Sequence, residues 1–344
     1  MKKIISSLVA IAMIVGLMLG CTANPTGQEP SKNDKLSGSV TVYSPHPADP
    51  LNAGVKEFQE KTGITVNVVA AGTGELLKRI EAEADNPLAD VLWGGGAESL
   101  AAYSDYFEEF IPDEDSVILA SHKDTNRKWV GESPLPMVIM YNKKLVSENE
   151  VPKSWGDLLD PKWKGKIAYA DPAKSGSSFT ILATMVTAYG KDNGKGWDFI
   201  REFVANLDGK VLGSSSGVYK GVADGEYSVG LTLEKSAQEY VKAGADVGFI
   251  YPEEGTSAVP DGVSLVKGSK NKENAKAFIN FVLGKECQQM MSEEYNRRPV
   301  RTDLAPPEGL APLSDIKLVD YDFNWASNSK AEILEQWKDI VVGK

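Results

Sequence analysis

The first part of the chain repeats one pattern, in which a β-rich apolar run, a turn rich in glycine or proline and an amphipathic run follow each other. The apolar runs at residues 39–43, 64–69 and 89–93 predict strands. The amphipathic runs at residues 51–62 and 76–83 predict the helices between them. Strand, loop and helix in this repeated order predict right-handed βαβ units and a parallel sheet.

The loops that leave these strands carry the first candidate binding residues. Ligands of open parallel sheets bind beyond the carboxyl ends of the strands, so we expect these loops to form one wall of a cleft. His46 is one of only two histidines, and the flanking prolines favour either a donor to a phosphate or hydroxyl group or a simple turn. The candidates are Ser44, His46, Gly72, Thr73, Gly74, Gly95 and Gly96.

A second domain is predicted from a long apolar run at residues 135–142, which reads as a crossover strand. Further on, a strand at residues 166–170 is followed by a Ser/Gly turn and by a buried helix that includes residues 180–186. Hydroxyl groups and unpaired N–H groups at a helix N-terminus favour an anion. The alternative is that Ser177 or Ser178 only caps the helix.

The second domain carries the remaining candidates for a ligand site. A second hydroxyl-rich turn, at residues 213–217, precedes another predicted helix. Glu234 follows a predicted strand and is expected either to accept hydroxyl groups or an amine of the ligand, or to pair with Lys235. Arg297 and Arg298 suit a phosphate at the cleft rim, or anchor a loop. The serine-rich turns contribute Ser175, Gly176, Ser177, Ser178, Ser214, Ser215 and Ser216.

The N-terminus has the features of an export signal. Two lysines, an apolar run at residues 4–19 and a small residue before Cys21 predict a signal peptide over residues 1–20. The ending at residues 18–21 resembles a bacterial lipobox, which makes Cys21 the lipidated first residue of the mature protein. The polar residues 21–38 then form a flexible tether. We therefore expect an extracytoplasmic protein anchored by lipid to the bacterial cell membrane, with a plain secreted protein as the alternative.

Charge and composition narrow the possible partners. The 344 residues carry a formal net charge of −11, which argues against nucleic acid and anionic lipid as ligands. Cys287 is the only other cysteine, so it is expected to be a small core residue and no disulfide is available. We expect no enzyme and no cofactor, because the chain lacks Gly-x-Ser-x-Gly, His-Glu-x-x-His and a cysteine cluster. The alternative protein classes are a surface hydrolase and a purely structural or adhesive lipoprotein.

Residues 154–167, together with Asp171, Pro172, Ser175 and Gly176, resemble extracellular solute-binding proteins (family 1) of ABC importers. The similarity is to the branch with ferric-ion-, hexose-phosphate- and aminoethylphosphonate-binding members, and residues 89–93 and 271–281 extend it. The resemblance implies a type II periplasmic-binding-protein fold, with two α/β lobes joined by crossover strands around a ligand cleft. Residues 39–135 and 258–310 would form lobe 1, and residues 136–257 and 311–344 would form lobe 2.

The resemblance also implies the partners. A monomer would capture a small anionic solute, such as a phosphorylated sugar or a phosphonate, and deliver it to an ABC permease. Ferric iron is the alternative, because relatives bind it with paired tyrosines plus a histidine or carboxylate. Where that pair is expected, residues 231–235 contain no tyrosine, and iron requires several anionic oxygen ligands. The sequence therefore favours an organic anion over iron.

Overall fold

A computed structural model describes residues 37–343 of the chain. The predicted signal peptide, Cys21 and nearly all of the predicted tether lie outside the described residues. Within the described range the chain forms ten strands and eleven α-helices, which belong to one compact unit. None of the helices in residues 37–343 combines the length and the apolar character that a bilayer span requires.

The first sheet contains six strands. Strand β1 runs parallel to β2 and β3, as predicted, because a helix crosses over from β1 to β2 and another from β2 to β3. Strand β10 runs antiparallel to β3, β4 and β5, so the sheet as a whole is mixed, with the predicted parallel pairing confined to the first three strands. The strands are β1 (Ser39–Ser44), β2 (Thr65–Ala70), β3 (Val91–Gly96), β4 (Phe107–Glu108), β5 (Val130–Pro134) and β10 (Pro260–Val266).

The second sheet contains four strands in the order β7-β8-β6-β9. Strand β6 lies antiparallel to both β8 and β9, whereas β7 runs parallel to β8. The chain passes between the sheets at residues 135–136, directly after β5, and again at residues 251–259, directly before β10. The strands are β6 (Met137–Asn142), β7 (Ile167–Ala168), β8 (Val229–Leu233) and β9 (Val247–Ile250).

Helices cover both sheets and enclose separate cores. Helix α4 is apolar almost all round and is buried in the lobe of the second sheet, as expected for a helix without a solvent face. Ile333 and Trp337 attach α11 to the same core. Cys287 is buried in the core of the first sheet, as predicted. The helices are α1 (Ala48–Thr62), α2 (Thr73–Ala82), α3 (Ala97–Ala102), α4 (Gly176–Tyr189), α5 (Lys195–Leu207), α6 (Ser215–Ala223), α7 (Glu234–Lys242), α8 (Lys272–Leu283), α9 (Lys285–Tyr295), α10 (Phe323–Asn328) and α11 (Lys330–Val341).

Several predicted helices start earlier than the sequence suggests. Helix α1 begins before Pro50, because a proline in the first helical turn loses no hydrogen bond. Helix α2 begins at Thr73, so most of the predicted exit loop at residues 72–74 forms its first turn. These shifts bring helix N-termini, and not long loops, to the ends of the strands.

Candidate functional site

A cavity of about 420 Å³ lies between the two sheets, where the strand ends of both lobes face each other. Its volume falls within the roughly 300–1,000 Å³ typical of small-molecule sites. Eleven of the fifteen predicted binding residues line it. They are Ser44, His46, Gly72, Thr73, Gly95, Ser175, Gly176, Ser177, Ser214, Ser215 and Ser216.

Two serine-capped helices form the wall contributed by the second lobe. Ser175 caps α4, since its Oγ accepts a hydrogen bond from the Ser178 N–H at 3.3 Å. Ser214 caps α6 in the same manner through the Gly217 N–H, at 3.4 Å. The prediction that Ser177 or Ser178 caps the helix is therefore wrong, and the Ser177 side chain lies on the cavity wall.

The wall contributed by the first lobe is made by tight backbone turns. The Ser44 hydroxyl donates to the carbonyl oxygen of Trp93 at 2.7 Å, so it ties β1 to β3. Gly72 and Thr73 form the start of α2 and face the start of α4. A Cβ added to Gly176 would lie 2.9 Å from Thr73 Oγ1, which shows how closely the two helix starts approach.

Five helix N-termini reach the cavity. Residues at the starts of α1, α2, α4, α6 and α7, from Pro47, Gly72, Ser175, Ser214 and Leu233 onward, all line it. Each helix start has a positive partial charge and N–H groups that no helical carbonyl accepts. The cavity therefore offers a concentrated set of donors to an anion, even though the protein as a whole is acidic.

Charged side chains add to this set. Lys174 and Lys235 line the cavity from the second lobe, and Glu75 and Asp261 line it from the first. The Lys235 ammonium makes no hydrogen bond or close ion pair within residues 37–343. Burial, with a further contribution from Arg297, lowers the pKa of Lys235 to about 8, although Asp261 and Glu132 oppose the shift. A cation that is buried and unpaired at a cavity wall is suited to pair with a bound anion.

Four charged residues of the cavity wall were not among the predicted binding residues, namely Glu75, Lys174, Lys235 and Asp261. Lys235 was considered only as a partner of Glu234, although it follows a strand end directly and enters a helix. The rule that selected the other exit loops, namely that ligands bind beyond strand ends, would have selected it too. Asp261 could not be selected by that rule, because it lies inside β10 and not after a strand end. It lines the cavity at a point where the pairing of β10 with β3 is irregular.

Four predicted site residues lie away from the cavity wall. Gly74 faces the other lobe, because a Cβ there would lie 2.1 Å from the carbonyl oxygen of Ala173. A Cβ on Gly96 would meet the carboxylate of Glu98 at 2.9 Å. Ser178 is buried inside α4. Glu234 is buried and is held by Arg298.

The two neighbouring arginines are buried ion-pair partners rather than solvated residues. Arg298 pairs with Glu234, so the predicted pairing of Glu234 with Lys235 is wrong. Arg297 contacts both Glu132 and Asp261 through Nη2. Burial of Glu132 favours its neutral form, but the charge of Arg297, with a smaller contribution from His46, outweighs that effect and lowers the pKa of its carboxyl to about 2.

His46, Glu132 and Asp261 form a group whose potential ligand atoms lie within 4.8 Å of one another. His46 Nε2 lies 3.2 Å from Glu132 Oε1, and His46 Nδ1 lies 4.0 Å from Asp261 Oδ2. Burial and then the charge of Arg297 lower the pKa of His46, which favours the neutral imidazole that binds metals. The same Arg297 nevertheless occupies the space between the two carboxylates, so this group does not fit a metal ion well.

A buried polar cluster joins the lobes beside the cavity. Thr180 of α4 donates a hydrogen bond to Glu98 of α3, and Lys330 of α11 donates to Ser99 at 2.9 Å. Burial lowers the pKa of Lys330 to about 7 and raises that of Glu98, with each group opposing the shift of the other. The contact of Thr180 therefore joins the lobes within one helical turn of Ser177, which lies on the cavity wall.

Comparisons with known proteins agree with this architecture. A family model described as bacterial extracellular solute-binding protein matches residues 53–316. A putative 2-aminoethylphosphonate-binding periplasmic protein of Salmonella typhimurium is 31% identical over 300 residues, which cover 78% of this chain and 81% of the relative. The major ferric iron-binding protein of Neisseria meningitidis is 25% identical over 297 residues, with coverage of 81% and 86%.

The fold is shared with solved structures. The periplasmic binding protein AfuA from Actinobacillus pleuropneumoniae, with exogenous fructose-6-phosphate bound, superposes with a TM-score of 0.83 at 27% identity. That similarity covers 89% of this chain and 99% of AfuA, and it confirms the predicted two-lobed periplasmic-binding fold. Because the family model spans most of the chain and the architecture is the same, this chain belongs to the bacterial extracellular solute-binding proteins, the ligand-capturing components of ABC importers.

Proposed function

We propose that this protein captures a small solute bearing a phosphate or phosphonate group and delivers it to an ABC permease. The observation that carries this proposal is the convergence of five helix N-termini on one cavity between the lobes. Convergent N–H groups favour a compact, multiply charged group with several acceptor oxygens. A phosphate or phosphonate meets that description.

The side chains on the wall extend the same match. Ser177 and Ser215 present hydroxyl groups next to the starts of α4 and α6, and Lys235 presents a cation from α7. Hydrogen bonds to a charged group contribute about 1.5–3 kcal/mol each, so a few of them suffice for a micromolar complex, at about −8.2 kcal/mol. Asp261 and Glu75, on the opposite wall, are suited to hydroxyl or amino groups on the rest of the solute.

The similar proteins support an organic anion as the ligand class but do not identify which anion this protein binds. The names of two similar proteins refer to 2-aminoethylphosphonate and to fructose-6-phosphate, which both carry a phosphorus-centred anion. Ferric iron is the second candidate, since a similar protein is named for it and the His46, Glu132 and Asp261 group supplies nitrogen and oxygen ligands. We rank iron second because Arg297 lies between those carboxylates.

A ligand screen tests the proposal. Ligand at about one hundred times its Kd adds ~2.7 kcal/mol to the free energy of unfolding, which raises Tm by ~5 °C or more. We expect that shift with fructose 6-phosphate, a related sugar phosphate or 2-aminoethylphosphonate, and none with the unphosphorylated sugar. A shift with ferric citrate alone would reverse the ranking of the two candidates.

We also propose that the mature protein is a monomer held at the membrane by a lipid on Cys21, with residues up to 38 as the tether. The lipobox-like sequence at residues 18–21 supports the anchor. A Cys21→Ala variant is expected to leave the membrane fraction, while a Cys287→Ala variant, changed at a buried core position, stays in it. Membrane retention of the Cys21→Ala variant would contradict the lipid anchor.

A further inference from the structure

A buried charge cluster that belongs to no helix N-terminus adjoins the cavity, and two of its members, His46 and Asp261, form part of the cavity wall. It consists of Glu132 on β5, Asp261 on β10, His46 after β1 and Arg297 after α9. Only Asp261 keeps more than a few per cent of its side chain exposed, at 13%, compared with 1% for Glu132 and 2% for Arg297. Charges this deeply buried persist only when they are neutralised.

The spacing of the histidine and the two carboxylates is close to that of ligands around one metal ion. Nitrogen and oxygen ligands lie about 2.0–2.2 Å from a bound zinc ion, which places neighbouring ligand atoms about 3.3 Å apart. His46 Nε2 is 3.2 Å from Glu132 Oε1, is buried, and has no well-directed hydrogen bond among the described residues. The cluster therefore has the ligand types of a metal site, and the distance between His46 and Glu132 matches the spacing of neighbouring ligands, whereas His46 Nδ1 and Asp261 Oδ2 are 4.0 Å apart.

Arg297 fills the position that a metal ion would need. Its Nη2 contacts Glu132 Oε1 and lies 3.1 Å from Asp261 Oδ2, so one nitrogen bridges both carboxylates. Arg297 contacts both carboxylates, and the more distant Lys235 ammonium also interacts with both, without a close ion pair. A di- or trivalent ion placed between the two carboxylates would be repelled by the positive charge of the guanidinium. Buried surroundings screen this repulsion only weakly.

We propose that Arg297 determines the class of cargo, because its guanidinium substitutes for a metal ion between Glu132, Asp261 and His46 and so keeps metals out of the cleft. This inference deepens the proposed function and rests on it, since a cleft closed to metal ions is left to organic anions. It also predicts a latent site: without the guanidinium, the same three side chains bind a transition metal ion.

The test measures metal binding by variants of the full mature chain. We expect Arg297→Ala to bind Zn²⁺ and Co²⁺ on the order of a hundredfold more tightly than the wild type, because the repelling charge is gone and two carboxylates lack a partner. Bound Zn²⁺ should raise the Tm of this variant, and bound Co²⁺ should give a visible absorption spectrum of histidine and carboxylate ligation. The control Arg297→Lys retains the positive charge and is expected to behave as the wild type.

Further variants keep the test decisive. Adding His46→Ala to Arg297→Ala should remove the metal-dependent rise in Tm. If Arg297→Ala does not fold alone, recovery of folded protein on refolding with Zn²⁺ supports the inference, and failure to recover with Zn²⁺ counts against it. Equal metal affinity in wild type and Arg297→Ala overturns it. If the wild type binds no phosphorylated solute, the proposed function is contradicted. The measured metal affinities of the variants do not depend on that outcome.

Discussion

The guanidinium of Arg298 holds the carboxylate of Glu234 through two hydrogen bonds, from Nε to Oε2 at 2.8 Å and from Nη2 to Oε1 at 2.9 Å. Arg298 follows α9 of the first lobe, and Glu234 begins α7 of the second, so this ion pair crosses between the lobes. The hydroxyl of Tyr251 donates to the same carboxylate. Glu234 is thus fully engaged within the protein, while its neighbour Lys235 faces the cavity.

This arrangement predicts opposite effects for two adjacent substitutions. Glu234→Ala leaves the buried Arg298 unpaired, and we expect the free energy of unfolding to fall by about 3–5 kcal/mol. Lys235→Ala removes an unpaired buried cation, so we expect weaker anion binding and little loss of stability. Urea unfolding and isothermal titration calorimetry of both variants provide the comparison. Loss of affinity without loss of stability in Glu234→Ala would identify Glu234 as a ligand-binding group.

The serine hydroxyl groups on the cavity wall predict a loss of ligand affinity when each is removed. Ser177→Ala and Ser215→Ala each remove a hydroxyl from the cavity while the caps at Ser175 and Ser214 remain. At about 1.5–3 kcal/mol for a hydrogen bond to a charged group, each change should raise the Kd about tenfold or more. Ser178→Ala is the matched comparison, because that side chain is buried inside α4. Equal losses from all three variants would contradict the assigned wall.

Ligand binding should depend on pH through Lys235. Its pKa of about 8 in the ligand-free protein means that the ammonium is charged below that pH and neutral above it. Since the anion binds the charged form, affinity should fall as pH rises from 7 to 9.5, by up to tenfold per unit above 8. Phosphate esters lose their last proton near pH 6, outside this window. A Lys235→Gln variant that keeps the same slope would show that another group is responsible.

Close approach of the lobes predicts a steric effect at Gly74. A Cβ at this position would lie 2.1 Å from the carbonyl oxygen of Ala173 in the other lobe. Gly74→Ala should hold the lobes apart, so we expect a loss of ligand affinity that exceeds any loss of stability, because each lobe keeps its own core. The control is Gly217→Ala, where the nearest atom lies 3.7 Å from the added Cβ. Small-angle scattering with and without ligand measures closure, and normal closure in Gly74→Ala would refute the contact.

The sequence predicted the elements that depend on local periodicity. The first three strands and the two crossover helices between them were recognisable, because burial of one face imposes a repeat of two residues on a strand and of 3.6 residues on a helix. Exit loops of parallel strands were also predictable as cavity walls, and eleven of fifteen candidates lie there. Helix starts were less predictable, as Pro50 and Thr73 show, because a first turn needs no hydrogen-bonded N–H groups.

What the sequence determined by itself was the presence of two α/β domains and of hydroxyl-rich turns at residues 175–178 and 214–216, since the order of apolar runs and turns along the chain specifies both. Only the tertiary structure decided which charged groups face the ligand and which neutralise each other. Glu234 and Arg298 are 64 residues apart, and Arg297 and Glu132 are 165 residues apart. Pairing of buried charges depends on the distance between them in space and on the removal of water from around them. Neither quantity can be predicted from the local sequence.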